Sequence, residues 1–319
     1  MSATPRPGIA RRRVLAGLLL VPPAVSACSL GAGASEKEPE SLIALADAAR
    51  ADAALAAAAI DREPDLAEQV QPLLDARTAH AMALDAEVAR LDPARANDAP
   101  TADAAPADRP ATLSRVRDAV LASGTDAATV ALDLPAEQVG LVASVAACCN
   151  TYAETWRRRG EERATMAPVP ESGVSTVDAM AAEALQDALT TEHAAVWSYS
   201  LALAFLSPER LDQARSDAEA HRLLRGATER TLTEIGVRPV SAQPAYATPQ
   251  PVVDGLSAAE LVIVAETDTL AAWRSVLERT TDRPLRQAAL NALTKGTLRC
   301  AGWRAAVDST PAIPVFPGR

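Results

Sequence analysis

Residues 183–206, EALQDALTTEHAAVWSYSLALAFL, decide the fold of this chain. Apolar side chains recur in this stretch at steps of three, four or seven, the spacing of one buried helix face; they are Leu185, Leu189, Val196, Tyr199, Leu203 and Leu206. Glu192 falls on the same face, three residues after Leu189 and four before Val196. A buried ionised carboxylate is costly unless a cation or hydrogen-bond donors meet it. Glu192 is therefore the leading candidate for a functional residue.

The composition predicts an all-α protein and argues against a nucleic-acid-binding one. The 319 residues are enough for two domains of ordinary size, and 49% of them are hydrophobic while only 3% are aromatic. A chain rich in Ala, Leu and Val favours packed helices over sheets. The formal net charge is −10, and an acidic chain is repelled by the phosphate backbone of nucleic acid. We expect no nucleic-acid partner.

Residues 1–27 have the features of an export signal. The arginines of residues 11–13 precede a short apolar run over residues 14–21, too short to span a bilayer, and small residues then lead to Cys28. Residues 25–28, Val-Ser-Ala-Cys, resemble a bacterial lipobox. The resemblance implies cleavage before Cys28 and lipidation of its thiol, which anchors the exported protein on the outer face of the cytoplasmic membrane. An ordinary secretory signal followed by a chance cysteine is the alternative.

Two export routes fit the leader. Residues 11–15, Arg-Arg-Arg-Val-Leu, resemble the core of a twin-arginine export signal. The general secretory route also requires positive charge at this position, so both routes remain open. Residues 28–40, with Gly, Ala, Ser, Glu and Lys, predict a flexible tether between the membrane and the folded part of the chain.

Stretches that contain Pro and Gly divide the rest of the chain into two helical halves. Residues 41–165 predict an N-terminal helical bundle, residues 166–176 an interdomain linker, and residues 177–310 a four-helix bundle. Within the first half we expect the third helix to be interrupted at residues 123–124, Ser-Gly. Residues 311–319 contain three prolines, and we expect them to form an extended tail on the outside of the protein.

In both halves the connections between helices are short, long and short, which is typical of a ferritin-like four-helix bundle with one crossover. We predict two tandem bundles of this topology, the second the better match and the first a faint repeat of it. The chain resembles the actinobacterial lipoproteins that carry a ferritin-like domain of unknown function. The resemblance is strongest over residues 180–319, in Glu192-His193-Ala194-Ala195 with Tyr199, Ala220-His221-Arg222, Pro244-Ala245-Tyr246 and Phe316-Pro317-Gly318. This family implies a fold and no activity.

Counting from the helix turns predicts a layer of polar side chains in the second bundle. Glu192 lies fifteen residues before the predicted turn at Ser207, and His221 lies fourteen residues after it. The two therefore share a level across an antiparallel helix pair. The same counting on the other helices extends the predicted layer to five residues: Glu192, His221, Arg225, Glu266 and Arg299.

Two interpretations of this layer remain open. The first is a buried ion-pair layer with no catalytic residue and no cofactor, since buried charges are normally paired. The second is a metal site in which Glu192, His221 and Glu266 bind Fe, Mn or Zn, as a mononuclear site or as a degenerate di-metal centre. The sequence departs from the di-metal pattern because Ala218 stands where a Glu-x-x-His motif needs its glutamate. The fourth helix also has neither His nor a carboxylate.

The other histidines and the cysteines give weaker signals. His193 follows Glu192 directly and points off the apolar face, which favours a solvated or inter-domain role. His80 has no clear partner, so we expect no site in the first half. Cys149 and Cys300 fall on inner helix faces, where a free thiol behaves as a small hydrophobic group. A disulfide among these two and Cys148 stays open.

Two classes of function follow from these observations. The first is a non-catalytic lipoprotein of the cell envelope that binds a protein partner or a small ligand through its helical halves. The alternative is a metal-dependent redox protein that uses Glu192, His221 and Glu266.

Overall fold

The computed structural model describes residues 37–94, 110–160 and 177–319. Over these ranges it contains eight α-helices and no β-strand, so the prediction of an all-α fold is confirmed. None of the helices within the described ranges is long and apolar enough to cross a lipid bilayer. The predicted export signal with Cys28, most of the tether and the predicted linker lie outside the described residues.

The described residues of the first half form four helices. They are α1 (Lys37–Arg62), α2 (Ala67–Leu91), α3 (Leu113–Ala131) and α4 (Ala136–Gly160), and the short 3₁₀ turn Pro64–Leu66 joins α1 to α2. Helix α1 packs against α2 and α3, and α3 packs against α4. This order brings the buried faces of the four helices together around a common core.

Helix α3 is continuous through residues 123–124, so the predicted interruption there is wrong. A Cβ atom at Gly124 would lie 2.8 Å from Asn150 Oδ1, and Asn150 Nδ2 donates to the Gly124 oxygen at 3.3 Å. Glycine in a helix costs about 1 kcal/mol relative to alanine. Here the missing side chain lets α4 approach closely, and the packing gained outweighs the lower helix propensity.

The second half also contains four helices. They are α5 (Ala179–Ala202), α6 (Pro208–Glu234), α7 (Gly255–Glu278) and α8 (Arg283–Ala306). An aspartate precedes three of them and accepts a hydrogen bond from a backbone N–H of the first turn; these residues are Asp178, Asp254 and Asp282. Helix α5 packs against α6 and α7, and α7 packs against α8. The ferritin-like topology of each half stays a prediction.

Helix α4 is covered on all sides. Every residue from 138 to 149 is buried, and a helix that is apolar around its whole circumference is typical of a core position. It packs against α3 in the first half and against α7 and α8 in the second. Val142 and Ala146 of α4 belong to the same apolar core as Leu277 and Leu293 of the second half. The two halves therefore share one continuous core.

Arg286, in the first turn of α8, fastens the second half to the first. Its side chain is 3% exposed. Its Nε donates to the Thr280 backbone oxygen at 2.7 Å, and its Nη1 donates to those of Leu132 at 3.0 Å and Leu134 at 2.6 Å. One guanidinium thus donates hydrogen bonds to three carbonyl groups, two of which belong to the turn between α3 and α4.

Replacing Arg286 by methionine should lower the free energy of unfolding by at least about 3 kcal/mol, because it leaves three buried carbonyl groups without this donor and each costs about 1–3 kcal/mol. Urea denaturation would measure the loss. Arg283→Met is the matched control. Arg283 is exposed and pairs with Asp133 at the surface, and an exposed ion pair contributes at most about 1 kcal/mol. Equal losses in the two variants would contradict the fastening role.

The C-terminal tail does not lie on the outside of the protein, and that expectation is wrong. Ile313 and Pro317 are buried. The tail contacts His80 and Ser144 in the first half, and Gly318 approaches α7 of the second. These contacts place the tail between the two halves. Burial there withdraws its apolar side chains from water, which is favourable.

Candidate functional site

Four of the five residues predicted for the buried layer come together in the structure. His221 Nδ1 lies 2.7 Å from Glu192 Oε2, and His221 Nε2 lies 3.0 Å from Glu266 Oε1. Arg299 Nε donates to the same Glu266 oxygen at 2.9 Å. Glu192, His221 and Glu266 have no exposed surface, and Arg299 is 8% exposed. We call these four residues the buried charged cluster.

The spacing of buried apolar residues along the helices of the second half directs the cluster residues into the core. Each helix contributes one member: Glu192 from α5, His221 from α6, Glu266 from α7 and Arg299 from α8. Glu266 stands one turn after Val262 and one turn before Leu270, both of which are buried. Because residues four apart share a helix face, the packing of these apolar neighbours turns the carboxylate inward.

Arg225 lies outside the buried charged cluster, which corrects its predicted place in the layer. Its side chain is 33% exposed, and its Nε lies 4.0 Å from Glu229 Oε1 on the same helix. Four residues advance a helix by about 40° beyond one full turn. Arg225 is four residues after His221 and so falls at the edge of the buried face. Trp273 meets Glu192 instead, and its Nε1 donates to Glu192 Oε1 at 2.7 Å.

Two aromatic residues that complete the cluster were missed as polar partners. Tyr199 donates its hydroxyl to Glu266 Oε1 at 2.6 Å, and Trp273 donates to Glu192 as described. Tyr199 lies on the apolar stripe that the sequence predicts, and Trp273 is buried among apolar residues of α7. A buried Tyr O–H or Trp N–H usually finds an acceptor, and this rule could have paired them with the two glutamates.

His221 carries a proton on both ring nitrogens. Each nitrogen faces a carboxylate oxygen, and an ionised carboxylate can only accept a hydrogen bond. Burial alone would lower the pKa of His221, but the charges of Glu266 and Glu192 outweigh burial and the opposing charge of Arg299. They raise the pKa to about 9. The imidazolium therefore acts as a cation between two anions.

The same charges shift the groups that surround the histidine. Burial would raise the pKa of Glu266, but Arg299 and His221 outweigh it and lower the pKa to about 2. Burial and the negative charge of Glu266 raise the pKa of Tyr199 well above its ordinary value. Tyr199 is therefore a neutral donor, and Glu266 is a carboxylate.

Asp217 lies close to the cluster and has a separate partner. Trp303 Nε1 donates to Asp217 Oδ2 at 2.9 Å. Burial and the nearby charge of Glu266 raise the pKa of Asp217 to about 6. Asp217 is thus a carboxyl group that gains a proton in mildly acidic solution.

Comparison with known proteins identifies the half that holds the cluster. Residues 184–319 match the family model described as a domain of unknown function, DUF4439. The chain contains a helical DUF4439 domain. All four members of the buried charged cluster lie inside the matched residues.

A solved structure that resembles part of this chain was found in the comparison. It is the crystal structure of a conserved hypothetical protein, rv2844, from Mycobacterium tuberculosis, with 29% sequence identity. The alignment covers 40% of this chain and 98% of that one, with a TM-score of 0.39. No curated protein matches the chain.

The donor set of the DUF4439 domain does not fit an open metal site. Both nitrogens of His221 point at carboxylate oxygens, so neither is free to bind a metal ion. Glu266 Oε1 accepts from Tyr199, His221 and Arg299, and the guanidinium brings positive charge to the place where a cation would bind. Across the described ranges, no group of three His, Cys, Asp or Glu residues has the geometry of a metal centre.

The structure places the remaining histidines in roles that differ from those expected. His193 of the DUF4439 domain is buried rather than solvated, and its Nε2 donates to the Val240 backbone oxygen at 3.1 Å. It thereby holds the long connection between α6 and α7. His80 in the first half has partners after all, Arg77 and the backbone oxygen of Val315.

The three cysteines of the described residues are free and buried. Burial raises the pKa of Cys149 and that of Cys300 to about 11. These thiols are therefore protonated in neutral solution and belong to the core, as expected for Cys149 and Cys300 on inner faces.

Proposed function

We propose that this protein is an exported lipoprotein, anchored through lipid on Cys28 to the outer face of the cytoplasmic membrane. The arginines of residues 11–13, the apolar run that follows them and the Val-Ser-Ala-Cys sequence before the tether support this proposal. In this role the two helical halves form a non-catalytic binding or structural protein of the cell envelope. A net charge of −10 argues against nucleic acid as its partner, and an exported location favours a protein of the envelope.

The observation that carries the non-catalytic role is the position of His221 between two carboxylates. Both ring nitrogens are engaged, and the cluster residues bind one another. A histidine that acts as a general base needs a free nitrogen within reach of a substrate. In this proposal the buried charged cluster fixes the register of the four helices of the DUF4439 domain, a use of buried ion pairs known from other folds.

Replacement of Cys28 by alanine should release the protein from the membrane or leave it as unlipidated precursor. Stable anchoring needs two acyl chains or one chain with a second signal, and this variant has no thiol to receive them. Fractionation and labelling with radioactive fatty acid would measure the effect. Cys300→Ala removes a buried thiol and should keep both label and membrane retention. Normal labelling of Cys28→Ala would exclude lipidation at this residue.

A metal-binding redox protein is the second candidate, since His221 lies within hydrogen-bond distance of both Glu192 and Glu266. A metal ion that binds the folded state raises its melting temperature by mass action. We expect no such rise when Fe, Mn or Zn is added to the purified protein. Glu183 is exposed on the same helix as Glu192, so Glu183→Leu is the control. A rise that persists in Glu183→Leu and disappears in Glu192→Leu would favour the metal site.

A further inference from the structure

A second group of buried polar side chains lies in the first half. Arg77 is 1% exposed and its guanidinium donates to Asp52 Oδ2, with Nε at 3.0 Å. Ser123 Oγ donates to the same oxygen at 2.8 Å. Arg77 Nη1 also donates to Cys149 Sγ at 3.3 Å. These residues join α1, α2, α3 and α4, and together with His80 we call them the N-terminal polar cluster.

The N-terminal polar cluster fixes the tautomer of His80. Arg77 Nη1 lies 3.2 Å from His80 Nδ1, and a guanidinium has donors but no acceptor. Nδ1 must therefore accept, so the hydrogen of the neutral ring is on Nε2. Burial and the charge of Arg77 lower the pKa of His80 to about 3, which agrees with a neutral ring. The Nε2–H then points at the Val315 backbone oxygen, 2.7 Å away.

The first half holds the tail at a second point. Ser144 Oγ lies 2.7 Å from the Pro317 oxygen and 2.9 Å from the Gly140 oxygen of its own helix. A hydroxyl has one hydrogen, and the shorter distance is the one to the tail. The ring of Phe316, between the two held carbonyls, packs against the His80 ring at an interplanar angle of 64°, with centroids 5.2 Å apart.

The end of the tail fits only a particular sequence. Gly318 has φ +81°, and a Cβ atom there would lie 2.7 Å from the Leu270 backbone oxygen. Any other residue would be strained in this conformation and would also clash. The guanidinium of Arg319 lies 4.8 Å from the centre of the Phe316 ring, a distance suited to a cation–π contact. That contact lies within the tail, whereas the backbone carbonyls of Val315 and Pro317, the Phe316 ring and Gly318 all contact the rest of the protein.

We propose that the first half, together with α7, forms a peptide-binding site for an extended segment with the sequence Val-Phe-Pro-Gly. His80 and Ser144 donate to two main-chain carbonyls, and the N-terminal polar cluster holds His80 as the neutral donor. The tail of the same chain occupies this site. A free peptide with the same sequence fits it by the same contacts, so the site binds this sequence from a second molecule when the chain's own tail is displaced.

Hydrogen exchange of the full chain would test the recognition of the tail. Loss of one side-chain hydrogen bond should speed exchange of the amides in residues 312–319 about fivefold to tenfold. We expect this in Ser144→Ala and in His80→Gln. Thr151 is the control, because its hydroxyl is buried in the same helix as Ser144 and donates to the Ala147 oxygen. Thr151→Val should leave exchange of the tail unchanged.

Binding of a free peptide would test the site itself. Gly318→Val should loosen the tail of the full chain, so a fluorescent peptide with the sequence of residues 311–319 should bind this variant at least tenfold more tightly than the wild type. Adding Ser144→Ala should weaken that binding about fivefold. The proposal is overturned if the peptide does not bind Gly318→Val, or if Thr151→Val speeds exchange of the tail as much as Ser144→Ala does.

Discussion

Replacement of Glu266 by leucine should lower the free energy of unfolding by about 3–5 kcal/mol, the cost of removing one partner from a buried ion pair. The variant leaves the Arg299 guanidinium buried without its carboxylate and removes one of the two anions beside His221. It also removes the acceptor of the Tyr199 hydroxyl. Urea denaturation at neutral pH would measure the change.

Two further variants separate the loss of an ion pair from the loss of a side chain. Asp268 is an exposed carboxylate on the same helix, and Asp268→Leu should change the stability by no more than about 0.5 kcal/mol. The double variant with Glu266→Leu and Arg299→Met should recover part of the loss, because an apolar pair is often as stable as a buried ion pair. A double variant less stable than Glu266→Leu would contradict this account.

The protein should lose about 3 kcal/mol of stability as the pH rises from 6.5 to 9, owing to His221. Its ordinary pKa is 6.5, while the carboxylates of Glu266 and Glu192 outweigh burial and raise the folded value to about 9. Between these values the folded state binds a proton that the unfolded state has released. The stabilisation is therefore complete below pH 6.5 and is lost as the pH rises through 9. Urea denaturation at several pH values would show the slope.

Two histidine variants would show which residue causes this dependence of stability on pH. His221→Gln should be less stable at pH 6.5 and should show a flatter dependence up to pH 9, because the group that titrates is gone. His80→Gln should keep the slope. Burial and Arg77 lower the pKa of His80 to about 3, so its contribution is present above pH 6.5 and is lost only as the pH falls towards 3. A slope that survives in His221→Gln would show that another group is responsible.

The helical periodicity predicted much of the cluster and failed at one identifiable place. Glu192 interrupts an apolar stripe, and the level that it shares with His221 and Glu266 follows from counting residues about the turns. Arg225 obeys the same count, but the count gives the level of a residue and only roughly its direction around the helix. At one turn beyond His221 it lies at the edge of the buried face, where a long side chain can reach water.

The sequence did not predict the contacts between residues that are far apart along the chain. His80 meets Val315 across 235 residues, and Ser144 meets Pro317 across 173. No helical period relates such positions, and the tail has none of its own. Its three prolines indicate an extended segment but give no indication of the surface that holds it.

The continuous burial of α4 has a consequence for the synthesis of this protein. The ribosome makes α4 before any of the helices that cover its second face, α7 and α8. Until residues 255–306 have been made and folded, that apolar face has no neighbour within the chain. Partly folded chains with exposed apolar surface associate with one another or with chaperones. A nascent chain halted after α4 is therefore a more aggregation-prone species than the finished protein.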